Sequence, residues 1–152
     1  MSKNIKQLKP SANSRYKQGY IDQKSCRKLF PSIKNENIIY RSSYERRFIY
    51  WCESNANVKH WGSECITIPY VLLTDHTNHT YNPDFVVEMQ DGSIYVIEIK
   101  PKNQCIKPTG DSAYALNEYT KNISKWTAAK RFCESRGVQF KVLTEDTISR
   151  LV

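Results

Sequence analysis

The sequence predicts an α/β domain, a mixed β-sheet flanked by helices, and three observations carry that expectation. Two apolar runs, Phe85 to Met89 and Ile94 to Ile99, flank an Asp91-Gly92 turn signal and read as a pair of strands. A stripe of Tyr119, Ile123, Trp126, Ala129, Phe132 and Cys133 at helical spacing stops at Gly137 and is followed by the alternating run Val138 to Leu143. The 152 residues suit one domain, and 39% hydrophobic with 12% aromatic residues can fill one core.

Along the chain, residues 1–37 read as a basic arm and residues 38–152 as the folded domain. Residues 1 to 34 contain nine Lys or Arg against the single acid Asp22, while residues 35 to 152 carry fourteen of each sign, so the whole net charge of +8 sits in residues 1 to 34. Tyr16, Tyr20 and Phe30 lie among those cations. Lys17, Lys24, Arg27 and Lys28 are the expected phosphate contacts, because cations release counterions from DNA while aromatic rings stack on bases. A solvated basic tail and a docking segment for a protein partner are the competing readings.

A helix is expected from Ser42, with Tyr44, Phe48, Trp51 and Cys52 as its apolar face. Ser42-x-x-Glu45 has the form of a capping box, in which Glu45 accepts from the Ser42 amide. Cys65 to Leu72 reads as a strand interrupted by Pro69, which suits an edge, and Thr74 to Asn78 as its turn. Lys107 to Gly110 is a loop with Pro108 and Gly110 as breakers. In the helix that follows from about Ser112, Trp126 is expected in the core and Lys121, Lys125, Lys130 and Arg131 on other faces, solvated by default, with a DNA-facing role for Lys125 as the alternative. Thr144 is expected to cap a short last helix with Glu145 and Asp146 at its positive end.

The chemistry lies where Pro83-Asp84 meets Glu98-Ile99-Lys100. Three charges on apolar strands are costly to desolvate unless paired with one another or with a cation. Register decides whether they meet. A two-residue Asp-Gly loop would pair position 84 with 99 and put Asp84 on the face opposite Glu98 and Lys100. A three-residue Gln90-Asp91-Gly92 loop, with Gly92 left-handed, pairs 84 with 98 and brings Asp84, Glu98 and Lys100 to one face. The bulged loop is therefore predicted. With it, Asp84, Glu98 and the Ile99 carbonyl offer hard oxygen ligands suited to Mg²⁺, with Mn²⁺ as its substitute. Lys100 would orient water or offset charge on phosphorus during phosphodiester hydrolysis. The bland alternative is a solvated Glu-x-Lys ion pair at a strand end.

These residues resemble the signature of the PD-(D/E)XK nuclease superfamily. Trp61-Gly62-Ser63-Glu64, Ile68-Pro69-Tyr70, His79-x-Tyr81-x-Pro83-Asp84-Phe85 and Glu98-Ile99-Lys100-Pro101-Lys102-x-Gln104 look like its TnsA-type branch. The order of Gln18-Gly19-Tyr20, Ile38 to Glu45, Asn122-x-x-Lys125-Trp126 and Leu143-Thr144-Glu145-Asp146 is similar to that of the head-completion nucleases of T-even-like tailed bacteriophages. The resemblance implies a restriction-endonuclease-like fold and a Mg²⁺-dependent DNA endonuclease used to finish DNA-filled heads. It also implies Glu45 as a helix-borne acid that joins the metal site, Asp84 and Glu98 as metal ligands and Lys100 as the catalytic lysine. TnsA-type enzymes often carry glutamine where this chain has Glu98. Lys102, Gln104 and His79 are expected DNA contacts, although a simple turn hydrogen bond would also account for His79.

Expected partners are DNA, double-stranded and read with little sequence preference since no base-reading module is evident, and a phage portal or head-tail connector. A structural DNA-binding connector protein and a repair or restriction nuclease are the alternative functions. The expected location is the cytoplasm of the infected host during assembly, with retention in the virion head as a further option. No apolar run approaches the ~20 residues that span a bilayer, and no signal-peptide core is present. Five widely spaced cysteines without a Cys-x-x-Cys suggest reduced thiols, not a disulfide framework or a zinc ribbon. His76-x-x-His79 lacks the partners that would close a zinc site.

Overall fold

The computed structural model describes residues 19–33 and 37–150. In chain order its elements are β1 (Gly19–Ile21), β2 (Ile38–Tyr40), α1 (Ser43–Ser54), β3 (Val58–Ser63), β4 (Ile68–Val71) and β5 (Asn78–Tyr81). Then follow β6 (Phe85–Met89), β7 (Ile94–Ile99), α2 (Ala113–Ser135), β8 (Gln139–Leu143) and α3 (Glu145–Ser149), with single 3-10 turns at Gln23–Ser25, Pro31–Ile33 and Lys102–Gln104. Four strands in the order β3-β6-β7-β8 form the main sheet, antiparallel except for the parallel β7–β8 pair. Strands β1–β2 and β4–β5 make two antiparallel ribbons. This is the expected mixed sheet flanked by helices.

The predicted bulged hairpin is present. Phe85 pairs with Ile97 and Glu88 with Ile94, a register that sets 84 opposite 98. The Gly92 N–H donates to Met89 O (3.0 Å) and the Met89 N–H to Ser93 O (2.8 Å), leaving residues 90–92 as the loop. Gly92 has φ +91°, open to glycine at no steric cost. Asp91 Oδ1 accepts from the Ser93 N–H at 2.9 Å and steadies the turn.

Side-chain alternation divides the sheet between two layers. Phe85, Val87 and Ile97 join Phe48, Ile49 and Cys52 of α1, Trp61 and Ile148 of α3 in the larger core. Val86 and Val96 face the other way, against Cys133 of α2. Within the larger core the Phe85 ring lies 4.8 Å from Phe48 and 6.2 Å from Trp61 in tilted contacts. At the end of α2 the Val138 N–H reaches Cys133 O (3.0 Å) and the Gly137 N–H Glu134 O (3.3 Å), the paired bonds of a Schellman cap with Gly137 at φ +69°.

Several expectations need correction. Residues 19–33 do not behave as an arm. They enter the domain through β1, through the buried Cys26 and Leu29, and through a bridge of Leu29 to Trp61. The Glu53 carboxylate accepts from the Arg27 N–H (2.7 Å), the Lys28 N–H (3.0 Å) and the Trp61 indole N–H (2.6 Å), which ties this segment to α1. The domain boundary at residue 38 is thus too late, because apolar burial at Cys26 and Leu29 outweighs the high local charge. Lys17 and the rest of residues 1–18 lie outside the described residues.

The strand β3 went unpredicted, since a register shift between Val58 and His60 interrupts its alternation. Pro69 does sit in a strand, β4, but in a two-stranded ribbon where a missing N–H breaks no central ladder. Ile49 joins the buried face of α1, whereas Trp126 of α2 is only half-buried. Thr144 precedes α3 without a side-chain cap bond. None of the five cysteines forms a disulfide, and among the described residues no helix is long and apolar enough to cross a membrane.

Candidate active site

The hairpin register places Asp84 just before β6 and opposite Glu98 of β7, and alternation adds Lys100 to their face. A cavity of about 240 Å³ gathers Glu45, Asp84, Glu98, Ile99, Lys100 and Gln104 with Arg41, Ser42, Tyr44 and Pro101. Four of the side chains assigned to catalysis from sequence, on α1, β7 and the segments beside β6 and β7, therefore meet in one place. Asp84 Oδ2 accepts from the Ile99 N–H at 2.7 Å, which fixes the carboxylate against β7. Lys100 is held by its own N–H, which donates to Leu143 O of β8 at 2.9 Å.

Glu45 arrives from the first turn of α1. Ser42 caps that helix by accepting from the Glu45 N–H at 3.1 Å. The reciprocal bond of the expected capping box is displaced by one residue: Glu45 Oε2 accepts from the Arg41 N–H, not from Ser42. Capping and site membership are thus compatible, since the same carboxyl borders Asp84. Arg41 Nη1 pairs with Glu64 Oε1 at 3.1 Å, and the Glu64 N–H donates to Asp84 O at 3.0 Å from a left-handed backbone at φ +48°.

The acids share too little water and too few cations. Burial, then the Asp84 and Glu64 charges, push Glu45 up to about 8 against the opposing Arg41 contacts. Burial raises Asp84 despite the Ile99 N–H and Lys100. Glu98 is raised well above the carboxylate range by burial and by Asp84, with Lys100 and Lys125 working the other way. Such a cluster of hard oxygens, short of positive charge, suits a divalent cation. Among the described residues no three Asp, Glu, His or Cys side chains already form a metal-binding group. Two carboxylates, a backbone carbonyl and water would have to make the set, which agrees with the habit of Mg²⁺ of keeping several waters.

Two neighbours carry little weight in the sequence, where Lys125 reads as a solvated helix residue with a DNA-facing role only as the lesser alternative, and Tyr81 has no assigned role. Lys125 of α2 is half-buried, with its Nζ 5.5 Å from the centre of the Tyr81 ring. Burial and Lys121 lower its pKa, and Glu98 opposes them. The Tyr81 hydroxyl is buried with no hydrogen-bond partner, and burial followed by the Glu98 and Asp84 charges raises its pKa. The only sequence signal for either was its place in the blocks around Pro83-Asp84 and Asn122.

The remaining expected contacts are dispersed. Gln104 borders the cavity, but Lys102 turns to α3, its N–H on Glu145 (2.8 Å) and its Nζ on Asp146 (3.3 Å). His79 lies on β5, stacked 5.4 Å from Tyr70, with Nε2 2.6 Å from Thr77 Oγ1. It borders a separate cavity of about 760 Å³ between the β4–β5 ribbon and α2, which supports the local hydrogen-bond reading. Lys24 and Arg27 are exposed, whereas Lys28 is half-buried and its Nζ donates to Asn55 O at 2.5 Å.

Residues 55–145 match the family model described as TnsA-like endonuclease N terminal. The matched stretch includes Asp84, Glu98, Lys100 and Lys125 and begins after Glu45. The head completion nuclease of Enterobacteria phage T4 is 34% identical over 126 residues, spanning 76% of this chain and 84% of that protein.

Proposed function

The chain belongs to the TnsA-like endonuclease family, and from that premise we propose that it is a Mg²⁺-dependent DNA endonuclease acting in phage head completion. The observation that carries the reading is the convergence of Glu45, Asp84, Glu98 and Lys100 on one cavity through the bulged register of β6 and β7. Asp84, Glu98 and the Ile99 carbonyl would hold Mg²⁺ or Mn²⁺, with Glu45 beside them. When bound, the cation supplies Lewis acidity to a phosphate oxygen and acidity to water.

The protein's own groups do the rest. The Ile99 N–H orients Asp84. The Arg41 N–H holds one oxygen of Glu45 and so restricts how its carboxyl can face Asp84. Lys100 orients the attacking water or offsets the charge that grows on the phosphoryl oxygens. The leaving oxygen takes its proton from solvent at the open side of the cavity.

The proposed substrate is packaged double-stranded DNA, cut with little sequence preference so that filled heads can join tails. A portal or head-tail connector is the proposed protein partner. The work would be done in the host cytoplasm during assembly, and the protein could stay in the finished head. Purified protein incubated with supercoiled plasmid should nick and then linearise it with Mg²⁺ or Mn²⁺ and leave it intact in EDTA. Absence of cleavage with every divalent metal tried would end the enzyme reading.

A further inference from the structure

A second cavity, of about 260 Å³, adjoins the catalytic one and shares Gln104 with it. Its walls are the Asn103–Pro108 segment and the early part of α2, where no residue before Asn122 is buried. Tyr114 and Tyr119 present rings there, Tyr114 being 76% exposed. Asn103, Gln104 and Asn122 contribute carboxamides, and Glu118 a carboxylate. No Lys or Arg lines the cavity among the described residues, so it is poorly suited to phosphate.

Asn122 is the informative member. Only 7% of it is exposed, and among the described residues nothing hydrogen-bonds its carboxamide, whereas the neighbouring buried Ser124 accepts from the Leu73 N–H and donates to Thr120 O. The Asn122 carboxamide is not among the buried unsatisfied polar groups, so it stays open to the cavity and presents both a donor and an acceptor to whatever enters. Tyrosine rings, carboxamides and a carboxylate are the groups that stack on a nucleobase and meet its polar edge.

We propose that this cavity receives a nucleobase unstacked from the strand held at the catalytic cavity, so that the favoured substrate is DNA with an unpaired base beside the cut. The inference rests on the nuclease reading above, because it takes the strand to lie across Gln104 between the two cavities. Tyr114 and Tyr119 stack on the base, and Asn122 bonds its edge. The cost of unpairing is least where the base is already single-stranded, which makes frayed ends, gaps and bubbles better sites than intact duplex.

The test uses the full-length chain and a duplex carrying 2-aminopurine either paired or within a short bubble. In EDTA or Ca²⁺, binding should quench the bubble probe through stacking. Tyr114→Ala combined with Tyr119→Ala should abolish the quench and weaken bubble binding by about fivefold or more, with paired-duplex affinity unchanged. Tyr114→Trp, at an exposed position, should preserve both. Absence of quench with the wild-type chain, or equal quench with the double variant, overturns the base pocket, and plasmid cleavage in Mg²⁺ would then show the nuclease reading intact. Quench without any cleavage in Mg²⁺ or Mn²⁺ would overturn the nuclease reading instead. A double variant that binds both DNAs normally yet fails to complete heads would overturn the base pocket and assign this face to a protein partner.

Discussion

Replacing Glu45 with glutamine separates the bond that its side chain makes at the start of α1 from the site duty proposed for it. The amide oxygen of glutamine can accept from the Arg41 N–H as the carboxylate does, so the start of α1 should survive. What disappears is a carboxyl that burial and Asp84 push from 4.5 to about 8. Such a group holds its proton more tightly folded than unfolded. The stability it contributes is fully present below about pH 4.5 and is lost as pH rises through about 8. At up to about 1.4 kcal/mol per pH unit, the metal-free protein should lose roughly 3 kcal/mol between about pH 5 and pH 7.5. For a domain of this size that corresponds to about 6 to 12 °C in Tm.

Glutamine should remove this part of the slope. In EDTA, Glu45→Gln is expected to melt near the wild type at about pH 5 and several degrees above it at about pH 7.5. Added Mg²⁺ should raise the wild-type Tm at the higher pH and raise the variant less, while cleavage falls at least ~10²-fold. Thermal melts across pH in EDTA and in Mg²⁺, with plasmid nicking alongside, measure all of this. A variant that melts lower than wild type at pH 7.5 and still cuts DNA would reduce Glu45 to a helix cap and refute the reasoning.

Three further outcomes are expected. Tyr81→Phe removes a buried hydroxyl that has no partner and should raise the stability of the metal-free protein by about 1 kcal/mol; a loss in urea unfolding would mean that the hydroxyl is engaged in solution. Glu53→Gln leaves a single acceptor oxygen for three donors, and the cost of about 2 to 4 kcal/mol in chemical denaturation should not appear if the 19–33 segment is only loosely attached. Deleting residues 1–18 removes Lys3, Lys6, Lys9, Arg15 and Lys17 and takes the net charge from +8 to +3. The log–log salt slope of duplex binding should then shrink by up to about four, and an unchanged slope would reassign those cations to a protein partner.

The hairpin shows what local sequence can settle. A glycine at the third loop position and the need to bring 84 and 98 to one face specified the register, because a one-residue slip would have reversed every side chain. The ends of α2 were equally local, since the Ser112 hydroxyl accepts from the Ala115 N–H and the Gly137 N–H donates to Glu134 O within their own turns. What remained hidden depended on contacts between distant segments. Nothing near Arg27 or Lys28 announces that Glu53 will collect their amides, and nothing in Lys125 tells a solvated helix face from a half-buried position near Glu98. The cavity beside Gln104 was hidden for the same reason: its walls come from a loop and a helix face that only the fold brings together.

The β1–β2 ribbon also fixes the place from which the N-terminal cations depart. Gly19 pairs with Tyr40, and the next residue along β2's exit, Arg41, borders the catalytic cavity. A chain leaving at Gly19 is tethered beside that cavity whatever its own conformation, so under the proposed DNA-binding role its five positive charges would meet a bound DNA as an intramolecular event. A strand released by the acids after a cut would therefore remain within reach of the tether and could be recaptured before it diffused away. The ribbon would thus favour successive cuts in one DNA molecule over single cuts in many.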